Sequence, residues 1–271
     1  MSRWTLDDIP WECFDRSKID AEILRLVKAA SLVEFNGAAY AHHLCLIFDD
    51  DPAFQQDTRR WGDEEIQHGK ALSQWAALAD PAFDFDCAFR RFQAGYQVDF
   101  GCAISRRGSR SGEMIARCIV EVGTSSYYTA LRDAVREPVL KEICSRIAAD
   151  EIRHYKLFYK NLIRCLERER IGFWSRLQVA ARRIAESEDD ELAYAYYAAN
   201  ESEGPYERRR YQRAYARRAY ALCREQHVLH GVAMIFKAVG LSPHGRVARM
   251  ASRIIWLLMR YRAIRLAQAA A

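Results

Sequence analysis

The sequence is poor in glycine and proline, with 13 and 6 of these residues in a chain of 271. Because these two residues interrupt helices most strongly, their scarcity favours long helices. Few segments alternate strictly between apolar and polar residues, which argues against strands. Half of the residues are hydrophobic, so the chain can bury a sizeable core. We therefore predict an all-α protein.

Paired cysteines and long apolar runs are also lacking. None of the eight cysteines forms a C-x-x-C pair, and most lie among apolar residues, which predicts buried free thiols in a reducing compartment. The first residues, MSRWTLDDIPWE, contain no apolar segment typical of a signal peptide. The apolar run at residues 254–259 is far shorter than the roughly 20 residues of a membrane span. We expect a cytoplasmic protein, with peripheral attachment at the inner membrane surface as an alternative.

Charge is unevenly distributed along the chain. Residues 205–271 contain 14 basic and 2 acidic residues, a net charge of +12, whereas residues 1–204 contain 27 basic and 34 acidic residues, a net charge of −7. A basic tail on an acidic body fits an anionic partner, and it also fits a plain solvated surface.

Hydrophobic periodicity and helix-capping signals predict the helices. Ser17-x-x-Asp20 resembles a capping box, and Asp51-Pro52 and Glu137-Pro138 resemble helix starts. The predicted helices cover residues 18–47, 52–79, 87–105, 112–135, 138–170, 174–187, 190–200, 205–239 and 246 onwards. Four of them, before residue 171, are long enough to form a four-helix bundle, with the helix at 87–105 inserted between its halves.

Two Glu-x-x-His pairs stand out among the charged residues. Glu65 and His68 form one pair, and Glu151 and His154 form the other. Residues three positions apart share one face of a helix, so each pair can bind one metal ion. Glu34 lies 31 residues before Glu65, and Glu121 lies 30 residues before Glu151, in apolar surroundings. Each separation fits one helical hairpin with a short connection.

Four glutamates and two histidines are the ligands of a carboxylate-bridged di-iron or di-manganese bundle. We predict that Glu65 and Glu151 bridge two metal ions and that Glu34 and Glu121 are terminal ligands. His68 and His154 would each bind one ion. The cofactor would be two iron ions, Fe²⁺ or Fe³⁺, or a manganese–iron pair. The predicted fold is thus a ferritin-like four-helix bundle over residues 1–171, with further helices over 172–271 that pack on it and end in a basic amphipathic helix.

Neighbouring charged residues predict the hydrogen-bond partners of these ligands. A metal-bound histidine usually donates its second ring N–H to a carboxylate or carbonyl. Asp150 and Glu64 directly precede the two bridging glutamates, so each could accept from the histidine of the opposite half. Arg153 could neutralise Asp150, while Gln67 occupies the equivalent position in the first half. Surface charge is the alternative for Glu64 and Asp150.

Both histidine motifs resemble those of the soluble acyl-carrier-protein desaturases. The segment ADEIRHYK (149–156) is similar to the family's D-E-x-R-H motif, and WGDEEIQHG (61–69) is similar to its W-x-x-E-E-x-R-H-G motif, with Gln67 in place of arginine. Glu121-x-x-Thr124 resembles the family's Glu-x-x-Thr. The resemblance covers about residues 25–170.

This resemblance implies an O₂-dependent oxidoreductase that desaturates or hydroxylates a hydrophobic, fatty-acyl substrate. It places the hydroxyl of Thr124 beside the metals as a catalytic group. The chain has no flavin, iron–sulfur or nicotinamide motif, so the electrons would come from a separate donor such as a ferredoxin. Acyl carrier protein or an anionic membrane surface are candidate partners for the basic C-terminal helix, and a homodimer is expected. The alternatives are oxidation of a quinone, an aromatic amine or a tRNA base, or iron binding without catalysis.

Overall fold

The computed structural model describes residues 3–96, 105–186, 190–201 and 204–268. These residues form helices and no strands, so the predicted all-α class is confirmed. Three short 3₁₀ turns, at Leu6–Asp8, Trp11–Cys13 and Arg16–Lys18, precede the first α-helix. The α-helices are α1 (Ala21–Phe35), α2 (Gly37–Ile47), α3 (Pro52–Ala79), α4 (Phe85–Gly95), α5 (Arg110–Ala134), α6 (Pro138–Glu169), α7 (Phe173–Ala185), α8 (Asp190–Asn200), α9 (Arg208–Leu222), α10 (Glu225–Val239) and α11 (Arg246–Gln268).

The bundle consists of two helical hairpins. In the first, α1 and α2 pack against α3, and in the second, α5 packs along α6. The two hairpins meet where α3 contacts α6. Asp51 caps α3 through the backbone N–H of Phe54, and Glu137 caps α6 through two backbone N–H groups, with proline following each cap as the sequence predicted.

Three predicted boundaries are wrong. The first bundle helix is interrupted at Asn36, which ends α1 and starts α2, and α1 is capped by Asp20 alone, whose side chain accepts from Glu22 and Ile23. The basic helix predicted to end at Val239 is two helices, α9 and α10, separated where Cys223 and Arg224 adopt extended backbone angles. The helix predicted at 87–105 begins at Phe85 and ends at Gly95, and residues 97–104 lie outside the described part of the chain.

Two apolar clusters fill the bundle, one on each side of its charged centre. One includes Trp61, Ile115 and Phe158. The other includes Val27, Leu72 and Ile147. Along α3, Glu65 and His68 lie between Trp61 and Leu72, and along α6 the second Glu-x-x-His pair lies between Ile147 and Phe158. The carboxylates and imidazoles therefore form one polar layer between two apolar layers.

The helices after α6 pack on the outside of the bundle. α8 packs on α1, α10 and α7 pack on α5, and α9 and α11 pack on each other. A third apolar cluster, which contains Phe92, Tyr196 and Tyr211, joins α4, α8 and α9 to α1. In the described part of the chain, no helix combines the length and hydropathy needed to cross a bilayer.

The cysteines are less uniformly buried than predicted. Cys118, Cys144 and Cys165 are buried, but Cys13 and Cys87 are exposed. The exposed pair lies in a short 3₁₀ turn and near the start of α4, outside the bundle core. Apolar neighbours in the sequence therefore did not predict the burial of Cys13 and Cys87 correctly. Cys102 lies outside the described residues.

Candidate metal centre

The structure brings the six predicted metal ligands together at the centre of the bundle. Their oxygen and nitrogen atoms form two groups, and within each group these atoms lie within 4.8 Å of one another. The first group is Glu34, Glu65, His68 and Glu151, and the second is Glu65, Glu121, Glu151 and His154. Glu65 and Glu151 are shared by both groups, which is the arrangement that two bridging carboxylates require. All six side chains are buried.

In the first hairpin, α1 and α2 lie close to α3, which brings Glu34 and Glu65 near each other. A Cβ atom on Gly69 would lie 2.5 Å from the backbone nitrogen of Phe35, the residue after Glu34. A Cβ atom on Gly37 would lie 2.5 Å from the Cβ of Glu65. Larger residues at these two positions would push α1 and α2 away from α3, so the glycines set the width of the site.

The arrangement of donor atoms fits metal ions. His68 Nδ1 lies 3.4 Å from Glu151 Oε1, 3.5 Å from Glu65 Oε2 and 3.7 Å from Glu34 Oε2, yet it forms no hydrogen bond. His154 Nδ1 lies 3.1 Å from Glu65 Oε1 and 3.5 Å from Glu121 Oε2, and it also forms none. Two ligands at about 2.1 Å from one ion lie roughly 3.0–3.5 Å apart. Buried polar atoms without partners are rare, and here they converge on common points.

Each histidine is held from behind by a carboxylate of the opposite hairpin. His68 Nε2 lies 3.0 Å from Asp150 Oδ2, and His154 Nε2 lies 2.9 Å from Glu64 Oε2. If each Nε2 carries the proton and donates to its carboxylate, each Nδ1 has its lone pair directed at the metal position. These are the contacts that the sequence suggested for Asp150 and Glu64.

Arg153 connects the two carboxylates. One guanidinium nitrogen of Arg153 hydrogen-bonds to Asp150, and another lies 3.1 Å from Glu64 Oε2. Gln67, at the equivalent position of the other motif, donates instead to the backbone oxygen of Trp4 at 2.8 Å. The network is therefore asymmetric, as the difference between the two motifs indicated.

Sequence reasoning missed several side chains that contact these residues, among them Trp4 and Tyr128. The indole Nε1 of Trp4 donates to Asp150 Oδ2 at 2.8 Å, and its ring stacks on His68 at a centroid distance of 5.9 Å. The hydroxyl of Tyr128 donates to Glu34 Oε1 at 2.6 Å. Tyr128 lies two helical turns after Glu121, so helical spacing could have placed it near the site. No local pattern could have placed Trp4 there, because it lies in the segment before α1.

Thr124 lies beside a shared carboxylate. Its hydroxyl is 2.7 Å from Glu151 Oε2, and it is also 3.1 Å from the backbone oxygen of Glu121. Both roles considered for Thr124, a group next to the metals and a helix hydroxyl bonded to the backbone, are thus compatible with its position. Trp61 is buried, and its ring packs edge-on against His154 and Phe158.

A family model described as fatty acid desaturase matches residues 47–185, which is about half of the chain. The chain belongs to this fatty acid desaturase family. The matched segment contains both Glu-x-x-His pairs and Glu121, and it begins after Glu34. No curated protein is similar enough to the chain to count as a match.

Electrostatics at the centre of this desaturase-family protein favour added positive charge. Burial, together with the charge of Glu65, raises the pKa of Glu34 well above its usual value, and burial likewise raises the pKa of Glu121. Burial opposes protonation of His68, but its contacts with Asp150 and the glutamates outweigh burial and raise its pKa. Metal-free protein would therefore hold protons where cations could bind, and metal binding would release them.

A cavity of about 420 Å³ adjoins the carboxylates. Its inner wall contains Thr124 and all four glutamates of the metal-ligand set. The rest of its lining mixes apolar residues, Val33, Trp61, Ala116 and Val120, with polar ones drawn from several elements: Tyr40, His43, Tyr96, Arg106, Arg107, Glu113, Arg117, Arg183, Glu186 and Glu191. Arg107 pairs with Glu186 at 2.6 Å, and the guanidinium of Arg117 lies 5.7 Å from the ring centroid of Trp61. A substrate in this cavity would lie directly beside the metal positions.

Proposed function

We propose that the protein is an O₂-dependent oxidoreductase with two iron ions, which oxidises a substrate bound in the cavity beside the carboxylates. One observation carries the proposal: the four glutamates of the two metal-binding groups also form a wall of the cavity. The metal positions therefore face a space large enough for a small substrate. Membership of the fatty acid desaturase family supports the same reaction class.

In this proposal, the two ions would be held by Glu65 and Glu151, which belong to both groups, by Glu34 and Glu121, which belong to one each, and by Nδ1 of His68 and His154. The family and the hard oxygen-rich ligand set favour iron, with a manganese–iron pair as the alternative. Bound iron would supply O₂ activation and the oxidising power needed to attack a C–H bond. The protein's residues supply placement and protons.

Thr124 is the proposed proton donor. Its hydroxyl lines the cavity and lies 2.7 Å from Glu151 Oε2, so its hydrogen can be directed either at the carboxylate or at a molecule bound in the cavity. Asp150, Glu64 and Arg153 hold the two imidazoles in one orientation. The apolar layers on either side exclude water from the ligands.

The family favours a fatty-acyl substrate, which is our first candidate. It could reach the protein as a carrier-protein thioester, and electrons would come from a separate reductase such as a ferredoxin, because the chain has no motif for a redox cofactor that could deliver them. The cavity lining favours a second candidate. Its four arginines and its glutamates outside the metal-ligand set, together with the apolar Val33, Ala116 and Val120, suit a compact molecule with polar and apolar parts, such as a quinone or an aromatic amine, better than a long alkyl chain.

The test is O₂ consumption by iron-loaded protein supplied with a ferredoxin-type reductant, with candidate substrates added singly. Acyl thioesters, free fatty acids, quinones and aromatic amines form the panel, and products are identified by mass spectrometry. The proposal predicts that one class increases O₂ consumption and yields a product altered by two electrons or by one oxygen atom.

Thr124→Val tests the proposed proton donor in the same assay. It keeps the shape of the side chain but removes the hydroxyl, and it should lower product formation while leaving iron content unchanged. Iron oxidation that continues over many ions per chain, without any effect of substrate, would instead indicate an iron-storage protein and contradict the proposal.

A further inference from the structure

The last helix, α11, has two apolar faces. One packs on α9 and α10: Ala248 and Ser252 are buried there, and Trp256 and Met259 follow at helical spacing as half-buried residues. The other face carries apolar side chains that are 48–61% exposed: Val247, Met250, Ile254, Leu257, Leu258, Tyr261 and Ile264. At 100° per residue these side chains occupy an arc opposite the packed face. The bundle therefore does not cover them.

Arginines border the exposed apolar face. Arg246, Arg249 and Arg253 follow one border of the arc, and all three are exposed. Arg260 continues this border, and its guanidinium lies 5.6 Å from the ring centroid of Trp256. The helix contains six arginines and no acidic residue. An apolar stripe flanked by cations is the pattern of a helix that lies in a membrane interface.

The length of the stripe is compatible with a flat partner. From Val247 to Ile264 the stripe extends over 17 residue steps of one unbroken helix, or about 26 Å. A bilayer surface can contact a straight helix along this entire length. α11 does not have the hydropathy of a membrane span, so it would lie along the surface rather than cross it.

A second copy of the chain is a poor occupant of this face. A two-fold interface would bring two identical helices together, each with six arginines and no carboxylate of its own. Their like charges would repel, and no acid on either helix would offset them. Anionic lipid head groups supply the missing negative charge, while acyl chains accept the apolar side chains.

We propose that α11 binds the surface of an anionic membrane, with Val247, Ile254, Leu258 and their neighbours inserted and the arginines at the level of the lipid phosphates. This surface is independent of the metal centre. Bound in this way, the protein would be concentrated where membrane-derived hydrophobic compounds are found.

Vesicle flotation with the full-length protein tests the proposal. Vesicles of phosphatidylcholine alone are compared with vesicles that contain about one third phosphatidylglycerol, at low and at physiological ionic strength. We expect binding to the anionic vesicles, weak binding to the neutral ones and a loss of binding as salt rises, because exposed charges are screened over about 8 Å at 0.15 M.

Two sets of variants separate the contributions of charge and of insertion. Replacing Arg246, Arg249 and Arg253 with Gln should weaken binding on the order of 100-fold, since each basic residue near an anionic surface contributes roughly fivefold. The control replaces three exposed arginines outside α11, Arg59, Arg60 and Arg90, and should change binding little.

The insertion variant is Ile254→Gln with Leu258→Gln, matched by Leu78→Gln with Ile163→Gln elsewhere on the surface. Only the α11 pair should reduce binding, by tenfold or more, with unchanged helix content and unchanged metal content in both. Full-length protein that fails to float with anionic vesicles at low salt overturns the proposal. Sedimentation showing a dimer that Leu258→Gln dissociates, or capture of an acidic carrier protein without vesicle binding, overturns it as well.

Discussion

The two halves of the metal centre share one ligand pattern but differ in how their terminal carboxylates are held. In the first half, Glu34 accepts a hydrogen bond from Tyr128 at 2.6 Å. In the second half, neither carboxylate oxygen of Glu121 has a hydrogen-bond partner. Both residues line the cavity. Glu34 is therefore oriented by a protein contact, whereas Glu121 would need a bound cation to orient it.

Asp150 and Glu64, the carboxylates that contact Nε2 of the two histidines, also differ in burial. Asp150, behind His68, is 2% exposed and accepts from Trp4 as well. Glu64, behind His154, has a side chain that is 12% exposed, and it pairs with Arg3 at 2.5 Å near the surface. The comparison indicates that the carboxylate behind His68 is more deeply buried than the carboxylate behind His154.

The largest expected difference is in metal content, between variants of a ligand that belongs to both groups and variants of a ligand that belongs to one. Glu151→Gln removes a carboxylate that belongs to both groups, so metal content should fall from about two ions per chain to below about half an ion. Glu121 belongs to one group only, so Glu121→Gln should leave about one ion per chain. Elemental analysis after iron loading measures both variants. Glu167→Gln, on the exposed side of α6, is the control, and equal metal loss in Glu121→Gln and Glu151→Gln would rule out the bridging role.

Substitution of Asp150 or Glu64 should have the second largest effect, a loss of metal affinity. Asp150→Asn should weaken metal binding by about 10- to 100-fold, because it disturbs the orientation of His68 in a dry site. Glu64→Gln should weaken it less, since water can replace part of its contact with His154. Competition with a chelator gives the two affinities. A larger loss in Glu64→Gln would contradict the order that the burial of these two carboxylates predicts.

Helix spacing provides a third test. Gly69→Ala should destabilise the protein by about 1–3 kcal/mol, because its Cβ would meet the backbone of Phe35. Gly123→Ala, in the second half, meets nothing within 4 Å and should be neutral or stabilising by about 0.5–1 kcal/mol. Urea unfolding of both variants measures the difference in the free energy of unfolding. Equal effects would show that the backbone of Phe35 does not restrict the side chain at position 69.

Tyr128→Phe should have the smallest effect of these substitutions, on the free energy of unfolding. This change leaves the Oε1 of Glu34 without its hydrogen bond, so it should lower the free energy of unfolding of metal-free protein by about 1–2 kcal/mol. It also makes Glu34 resemble Glu121, and the two ions should then bind with more similar affinities. Tyr159→Phe, on the partly exposed side of α6, should have little effect. Unfolding with and without metal separates the two contributions.

Much of this site could be predicted because its information is local. Each Glu-x-x-His pair lies on one helical face, and the spacings to Glu34 and Glu121 follow from the length of a helical hairpin. The exchange of partners between hairpins, with Asp150 beside His68, was also predictable from the repeated motif. Whether these six residues bind metal remains a prediction.

The rest depends on tertiary packing. Trp4 reaches Asp150 from a segment 146 residues away, which no local pattern encodes. The cavity lining comes from α1, α2, α3, α5, α6, α7 and α8 and from the segments between helices, so its mixture of polar and apolar residues could not be read from any one segment. Asn36 interrupts the first bundle helix where Gly37 approaches Glu65, a constraint that only the neighbouring helix imposes.

Metal content tests the central claim most directly. Purified chain, stripped of metal with a chelator, is loaded with Fe(II) without oxygen, desalted and measured for iron and protein. We predict about two iron ions per chain, both of which are lost in Glu151→Gln. Well under one ion per chain in the unaltered protein, or two ions retained in Glu151→Gln, would contradict it.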